Sequence, residues 1–201
     1  MNERAYRDAE AVLWKAVGVT PTERRVKLAH AGVEVRVQEV GDGPPVFFLH
    51  GGPNSGSTWA TLVCHLTDFR CLLIDRPGTG LSAPLPVTPK ARGLQHLGDA
   101  IVADALDGLA LTRAHVVASS FGGFLALRSA ALHPERFDRM VQMACPAFAH
   151  GMATPLFLRL MSVRVLRALM ARMAPNVKAT TDILRQIGHG ASIDANRIPA
   201  S

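Results

Sequence analysis

The stretch VVASSFGGF, residues 116–124, runs from an apolar segment through two adjacent serines into a Phe-Gly-Gly-Phe sequence. The apolar part reads as a buried β-strand and the residues from 121 onward as a helix. A nucleophile on such a strand-to-helix elbow sits in a strained turn, so the residues two before it and two after it must be small. Centred on Ser120 those positions are Ala118 and Gly122; centred on Ser119 they are Val117 and Phe121, which would clash. Ser120 is the candidate nucleophile and Ser119 the spacer. The pattern is A-x-S-x-G, a methyl group away from G-x-S-x-G. A plainer reading of the same residues is a serine N-cap opening an ordinary helix.

The neighbouring sequence repeats this form. VFFLHGG (46–52), CLLIDRPGTG (71–80), AHVVASSFGG (114–123) and RMVQMACPA (139–147) each run from apolar residues into polar or glycine-rich ones. Helical patterns at 57–66, 89–109 and 121–133 lie between them, the second with Leu94, Leu97, Ile101 and Ala105 on one face. Buried runs alternating with helices predict βαβ units and a mostly parallel sheet with flanking helices. Right-handed crossovers then bring the loops after these runs to one sheet edge. Upstream, Ala5, Ala9, Val12, Leu13 and Ala16 predict a helix over 3–17. Residues 24–28 and 33–40 read as strands around His30-Ala31-Gly32, with Val33, Val35 and Val37 alternating against Glu34, Arg36 and Gln38. After Pro146 the alternation stops. Residues 155–173 are amphipathic, Leu156, Leu160, Met161, Val165, Leu169 and Met173 opposing Arg159, Arg164, Arg167 and Arg172, and 177–187 reads as a second helix. The expected division is a core over 1–150 and a helical segment over 151–201.

A second stretch bears on the serine. HGGP (50–53) follows a buried run and opens a loop that can present backbone N–H groups to an anion. In an acyl-transfer site one oxyanion donor is the amide after the nucleophile, here Phe121, and the other comes from the loop after the third strand. Gly52 is the best placed, with Gly51 the alternative. A simple Gly-Pro turn is the plainer reading.

Composition limits the remaining classes. The chain has 201 residues, 48% of them apolar and 19% charged, as expected of one soluble globular domain or a core with a modest insertion. Cys64, Cys71 and Cys145 show no C-x-x-C spacing, which argues against a disulfide framework or zinc site and for a reducing compartment. The N-terminus lacks the apolar core of a secretion signal, and no run of 18 apolar residues occurs. A cytoplasmic protein without a membrane span, metal or cofactor is the expectation. Of the formal charge of +6, most comes from residues 151–201, which carry seven basic and two acidic residues. That excess comes with no nucleic-acid-binding motif, so a small-molecule substrate is expected and a nucleic-acid partner is not.

In their order along the chain, HGGPNSGSTW (50–59), DRPGTGLS (75–82) and ASSFGG (118–123) resemble the α/β-hydrolase superfamily. Within it the sequence is similar to the HGGP-loop group of proline iminopeptidases, carbon–carbon bond hydrolases and esterases. The resemblance covers about residues 24–150. It implies the α/β-hydrolase fold, Ser120 as nucleophile, and the amides of Gly52 and Phe121 as the oxyanion hole. It further implies that His50, Gly51 and Asp75 order the loops, Asp75 without a catalytic role, and that residues from about 150 form a helical cap. A serine at the elbow argues against haloalkane dehalogenases and epoxide hydrolases, which carry aspartate there.

The base for Ser120 is harder to place, since this fold needs an acid and then a histidine after the serine. The downstream acids are Glu135, Asp138, Asp182 and Asp194, and the histidines His133, His150 and His189. His133 and Glu135 fall at the far end of the helix after the elbow; His150 could reach the site edge but has no acid between it and a suitable strand, and His189 lies in the cap region in IGHG, where a helix terminus is the plainer reading. The triad acid and histidine are therefore expected to be absent from the chain, which reads as a hydrolase cut within its cap, without its last core strands. The expected function is acyl-enzyme hydrolysis of a small ester, amide or C–C bond substrate, the chain being a fragment or a poorly active remnant. The alternatives are a non-catalytic small-molecule binding module and, for 155–173, a membrane-surface or partner-binding helix. An unpaired apolar edge at 140–144 would favour self-association.

Overall fold

The computed structural model describes residues 2–52 and 54–145, together with Lys178, Thr181, Asp182 and Arg185. The chain divides into two compact units, Met1–His150 and Gly151–Ser201, and the architecture below is that of the first. In the second, Lys178, Thr181 and Asp182 are helical. The amphipathic segment 155–173, the cap role, His150, His189 and Asp194 lie outside the described residues.

The first unit begins with helix α1 (Glu3–Ala16), whose N-cap Asn2 side chain accepts from the Ala5 amide. An antiparallel hairpin follows, β1 (Thr22–Leu28) and β2 (Val33–Val40). Next come β3 (Pro45–Leu49), a 3-10 turn at Gly56–Trp59, the short α2 (Ala60–Val63) and β4 (Arg70–Ile74). Then come α3 (Ala91–Gly108), β5 (Ala114–Ser119), α4 (Ser120–Leu132), a 3-10 turn at Pro134–Arg136 and β6 (Phe137–Met143). The helix expected over 57–66 is thus only a 3-10 turn and α2. The strands form one sheet in the order β1-β2-β4-β3-β5-β6. β4, β3, β5 and β6 are mutually parallel, while β2 pairs antiparallel with both β1 and β4. The sheet is mixed, with its parallel part where the alternating pattern predicts it.

The unbroken apolar runs of β3 and β4 are explained by a core on each face. Phe47, Leu49, Leu72 and Ile74 pack with Ile101, Leu106 and Leu125 of α3 and α4. Val46, Phe48, Cys71 and Leu73 pack on the other face with Trp14, Trp59 and Val63. The Phe48 and Trp59 rings lie 5.5 Å apart. Each fully buried side chain of this size contributes about 1.5–3 kcal/mol.

β2 departs from its sequence pattern. The alternation assigns Arg36 and Gln38 to a polar face, yet Arg36 is 0% and Gln38 4% exposed. The reason is α1, which covers that face through Glu10 and Trp14, while Val12 stays 57% exposed. Arg36 Nη1 and Nη2 donate to the two Glu10 oxygens at 2.8 and 2.7 Å, and its Nε donates to Asp75 at 2.8 Å. The Tyr6 ring lies 5.7 Å from the same guanidinium. Glu23 Oε2 lies 3.5 Å from Arg36 Nη1 as a third carboxylate partner; a buried arginine costs several kcal/mol in desolvation, and only complete pairing offsets it. Arg36→Met strands Glu10 and Asp75 in the interior. We expect the unfolding free energy in urea to fall by about 3–5 kcal/mol, with partial recovery when Glu10→Leu is added.

Candidate active site

β4, β3 and β5 are adjacent and parallel, so the loops that follow them emerge side by side at one sheet edge. The central loop is His50–Gly52; Asp75–Ser82 flanks it on one side and Ser120 on the other.

Ser120 stands where β5 turns into α4. Ser119 is extended, at φ −127° and ψ 145°, and Ser120 itself has φ 48°. A serine in this left-handed region is strained by about 1–3 kcal/mol. Gly122 has no room for a side chain: a Cβ there would lie 2.4 Å from the carbonyl oxygens of both His50 and Leu49. A Cβ on Gly51 would lie 2.7 Å from the Ser120 Cβ and 3.0 Å from the Ser119 oxygen. The helix therefore seats its first turn directly on the end of β3, and Gly51 abuts the serine. Ala118 is fully buried. The Phe121 N–H falls in the first turn of α4, where amides lack intrahelical partners. Gly52 has φ 23°, and its N–H has no hydrogen-bond partner among the described residues.

Asp75 is 1% exposed and has both oxygens engaged. Oδ1 accepts from the Gly56 amide at 2.7 Å, and Oδ2 from the Leu81 amide at 2.9 Å and from Arg36. Gly80 packs so closely on this carboxylate that a Cβ would meet Oδ2. Ser82 Oγ donates to the Asp75 carbonyl at 2.6 Å and accepts from the Arg36 amide at 2.7 Å.

His50 is fully buried. Its Nε2 accepts from the Arg76 amide at 3.2 Å, so Nδ1 carries the proton and donates to the Gly51 carbonyl at 2.8 Å. Burial, reinforced by the Arg76 charge, lowers its pKa from 6.5 to about 4. The ring is neutral at pH 7 and both nitrogens are occupied. Arg76, 7% exposed, donates from Nε to the His50 carbonyl at 3.0 Å. Its Nη2 reaches the carbonyls of Gly51 and Gly52 at 3.0 and 2.6 Å. Its guanidinium sits 5.2 Å from the centre of the Phe121 ring. Arg76 and Phe121, with Leu85, Leu94 and Leu97, line an apolar cleft of about 240 Å³.

The other sequence candidates lie elsewhere. His133 and Glu135 are 3.7 Å apart beyond the C-terminus of α4, about 20 Å of helix from Ser120. Asp138 pairs with Arg113. Ser120 Oγ has no hydrogen-bond partner among the described residues. No cluster of metal-ligating side chains occurs among them, and no helix there is long and apolar enough to cross a membrane. Arg36, Glu10 and Arg76 were not singled out from sequence. For Arg36 and Arg76 the available signal is a charged residue within or directly after a strand, which has to find partners; Glu10, on α1, carries no such signal.

A family model described as the alpha/beta hydrolase fold matches residues 44–176. The chain belongs to that family. It is 33% identical over 114 residues to a 2-hydroxy-6-oxo-6-phenylhexa-2,4-dienoate hydrolase of Comamonas testosteroni, covering 54% of this chain and 39% of that one. It is 27% identical over 135 residues to an epoxide hydrolase of Caballeronia sordidicola, covering 66% and 40%. A carboxylesterase of Bacillus subtilis superposes with a TM-score of 0.60 at 22% identity, over 70% of this chain and 48% of that one, a likeness of fold. The chain thus spans less than half the length of these relatives.

Two measurements test this geometry. Gly122→Ala should push α4 off the end of β3, at a cost of about 1–3 kcal/mol in urea unfolding. The second concerns His50, whose folded pKa lies below its unfolded value. Its contribution is complete above pH 6.5 and is lost as pH falls toward 4. The full loss is on the order of 3 kcal/mol. His50→Gln should remove that slope between pH 7 and 4. The exposed His30, raised by its bond to Asp104, works in the opposite sense, so the difference between wild type and variant isolates His50.

Proposed function

We propose that this protein is a serine hydrolase that cleaves small ester, amide or C–C bond substrates through an acyl-enzyme. The observation that carries the reading is Ser120 at φ 48° on the turn from β5 to α4, since strain at a single polar residue is characteristic of functional sites. In this reading Ser120 Oγ attacks the substrate carbonyl carbon and its proton passes to a base. The oxyanion takes hydrogen bonds from the amides of Phe121 and Gly52, Gly51 being the alternative. Collapse expels the leaving group, and water then releases the acyl group from Ser120.

His50 is not that base, because its ring nitrogens are bonded and its pKa is about 4. Asp75 is not the triad acid, because its oxygens hold Gly56, Leu81 and Arg36; its part is to order the loops. The acid and the base belong to residues outside those described. The cleft beside Phe121, with Leu85, Leu94 and Leu97 on its walls, supports a substrate with an apolar body next to its reacting carbonyl.

A fluorophosphonate probe tests the reading on the protein expressed from its full reading frame. Mass spectrometry should find the adduct on Ser120, and Ser120→Ala should lose it along with activated-ester hydrolysis, by on the order of 10⁴-fold or more. No adduct at Ser120, or hydrolysis that survives Ser120→Ala, would sink it.

A further inference from the structure

We propose that Arg76 is the positioning residue of the oxyanion loop: its guanidinium grips the carbonyls of three consecutive residues, His50, Gly51 and Gly52, and thereby sets where the loop's amides point. The proposal deepens the serine-hydrolase reading and rests on it for its catalytic consequence.

The peptide unit is planar and trans, so fixing one carbonyl fixes the following N–H in the opposite direction. Arg76 Nε on the His50 carbonyl fixes the plane that carries the Gly51 amide. The Gly51 carbonyl is held twice, by Arg76 Nη2 at 3.0 Å and by His50 Nδ1 at 2.8 Å. That plane carries the Gly52 amide, the first-choice oxyanion donor. The third contact, 2.6 Å to the Gly52 carbonyl, holds a plane without an N–H, since residue 53 is proline. Both donor planes and the carbonyl after them are thus held by one side chain.

Such a clamp is needed because of the residues it holds. Gly51 must be glycine to clear Ser120, and Gly52 sits at positive φ. A Gly-Gly pair has little conformational preference of its own, and a single flipped peptide would put a carbonyl where an N–H is required. The charge is otherwise unexplained. Arg76 pairs with no carboxylate among the described residues, in contrast to Arg36. Its donors go to backbone oxygens in bonds strengthened by its charge. The same guanidinium lies on the Phe121 ring, so it touches both residues that would hold the oxyanion. A lysine offers a single nitrogen and cannot span three carbonyls with a planar fork.

The test compares wild type, Arg76→Met and Arg76→Lys in the protein from its full reading frame, by p-nitrophenyl acetate hydrolysis and by NMR of ¹⁵N-glycine-labelled protein. Arg76→Met should lower kcat by about 10²–10³-fold with KM within about threefold, and Arg76→Lys should recover part of kcat. In the spectra the Gly51 and Gly52 amide signals should shift or broaden in Arg76→Met, while Gly32 and Gly108 stay in place. An unchanged kcat, a loss carried wholly by KM, or unmoved Gly51 and Gly52 signals overturns the proposal. So does the collapse of all glycine signals together, which would make Arg76 a residue of the fold alone. If the wild type neither hydrolyses the ester nor labels at Ser120, the serine-hydrolase reading falls, and the glycine spectra still decide whether Arg76 sets the loop.

Discussion

The contact between Gly122 and the carbonyl oxygens of Leu49 and His50 sets the geometry of everything at this sheet edge. With hydrogen in place of a side chain, the first turn of α4 rests directly on the end of β3. The turn from β5 into α4 must then be tight, and Ser120 takes the strained conformation. The strain is offset by what lies on either side of it: Ala118, Leu125 and Ala126 are completely buried. Gly51 meets the serine from the neighbouring loop for the same reason, since two backbones can approach this closely only where both lack bulk. The elbow is a consequence of packing.

Around that contact, two buried arginines handle their charge differently. Arg36 is paired with Glu10, Asp75 and Glu23 and ties the N-terminal helix to the loop after β4. Asp75 passes the constraint on to the amides of Gly56 and Leu81. Arg76, the next residue along, spends its donors on the loop after β3. The first two residues after β4 therefore organise the chain on both sides of it, Asp75 through its carboxylate at Gly56 and Leu81 and Arg76 through its guanidinium at His50–Gly52. His50 closes the arrangement, accepting from the Arg76 amide and donating to the Gly51 carbonyl.

Much of this was legible in the residues. Apolar runs leading into polar or glycine-rich residues identify β3, β4 and β5, and in β3 and β4 the four residues after the first are all apolar because both faces are buried. The small residues at 118 and 122 place the tight turn at Ser120 and not at Ser119, whose backbone is extended. The polar face of β2 was misleading: alternation records which positions are polar, not what covers them, and Arg36 is buried because α1 lies across it. α1 itself docks through Tyr6, Glu10 and Trp14 rather than through a face containing Val12. Its docking surface is held by an ion pair and an indole, which a count of aliphatic positions does not register. The short α2 fell below its expected length where the chain turns through a 3-10 segment to reach Asp75.

By itself the sequence determined the family, the parallel strands that present the loops, and the serine that the elbow can accommodate. Each of these depends on local size and polarity, which can be read one residue at a time. Only the tertiary structure decided what Arg36 and Arg76 do, and that His50 is a neutral bonded ring. A buried polar group takes its role from the partners that long-range packing brings to it. Glu10 lies 26 residues from Arg36 along the chain, and Arg76 lies 24 to 26 residues from the carbonyls it holds.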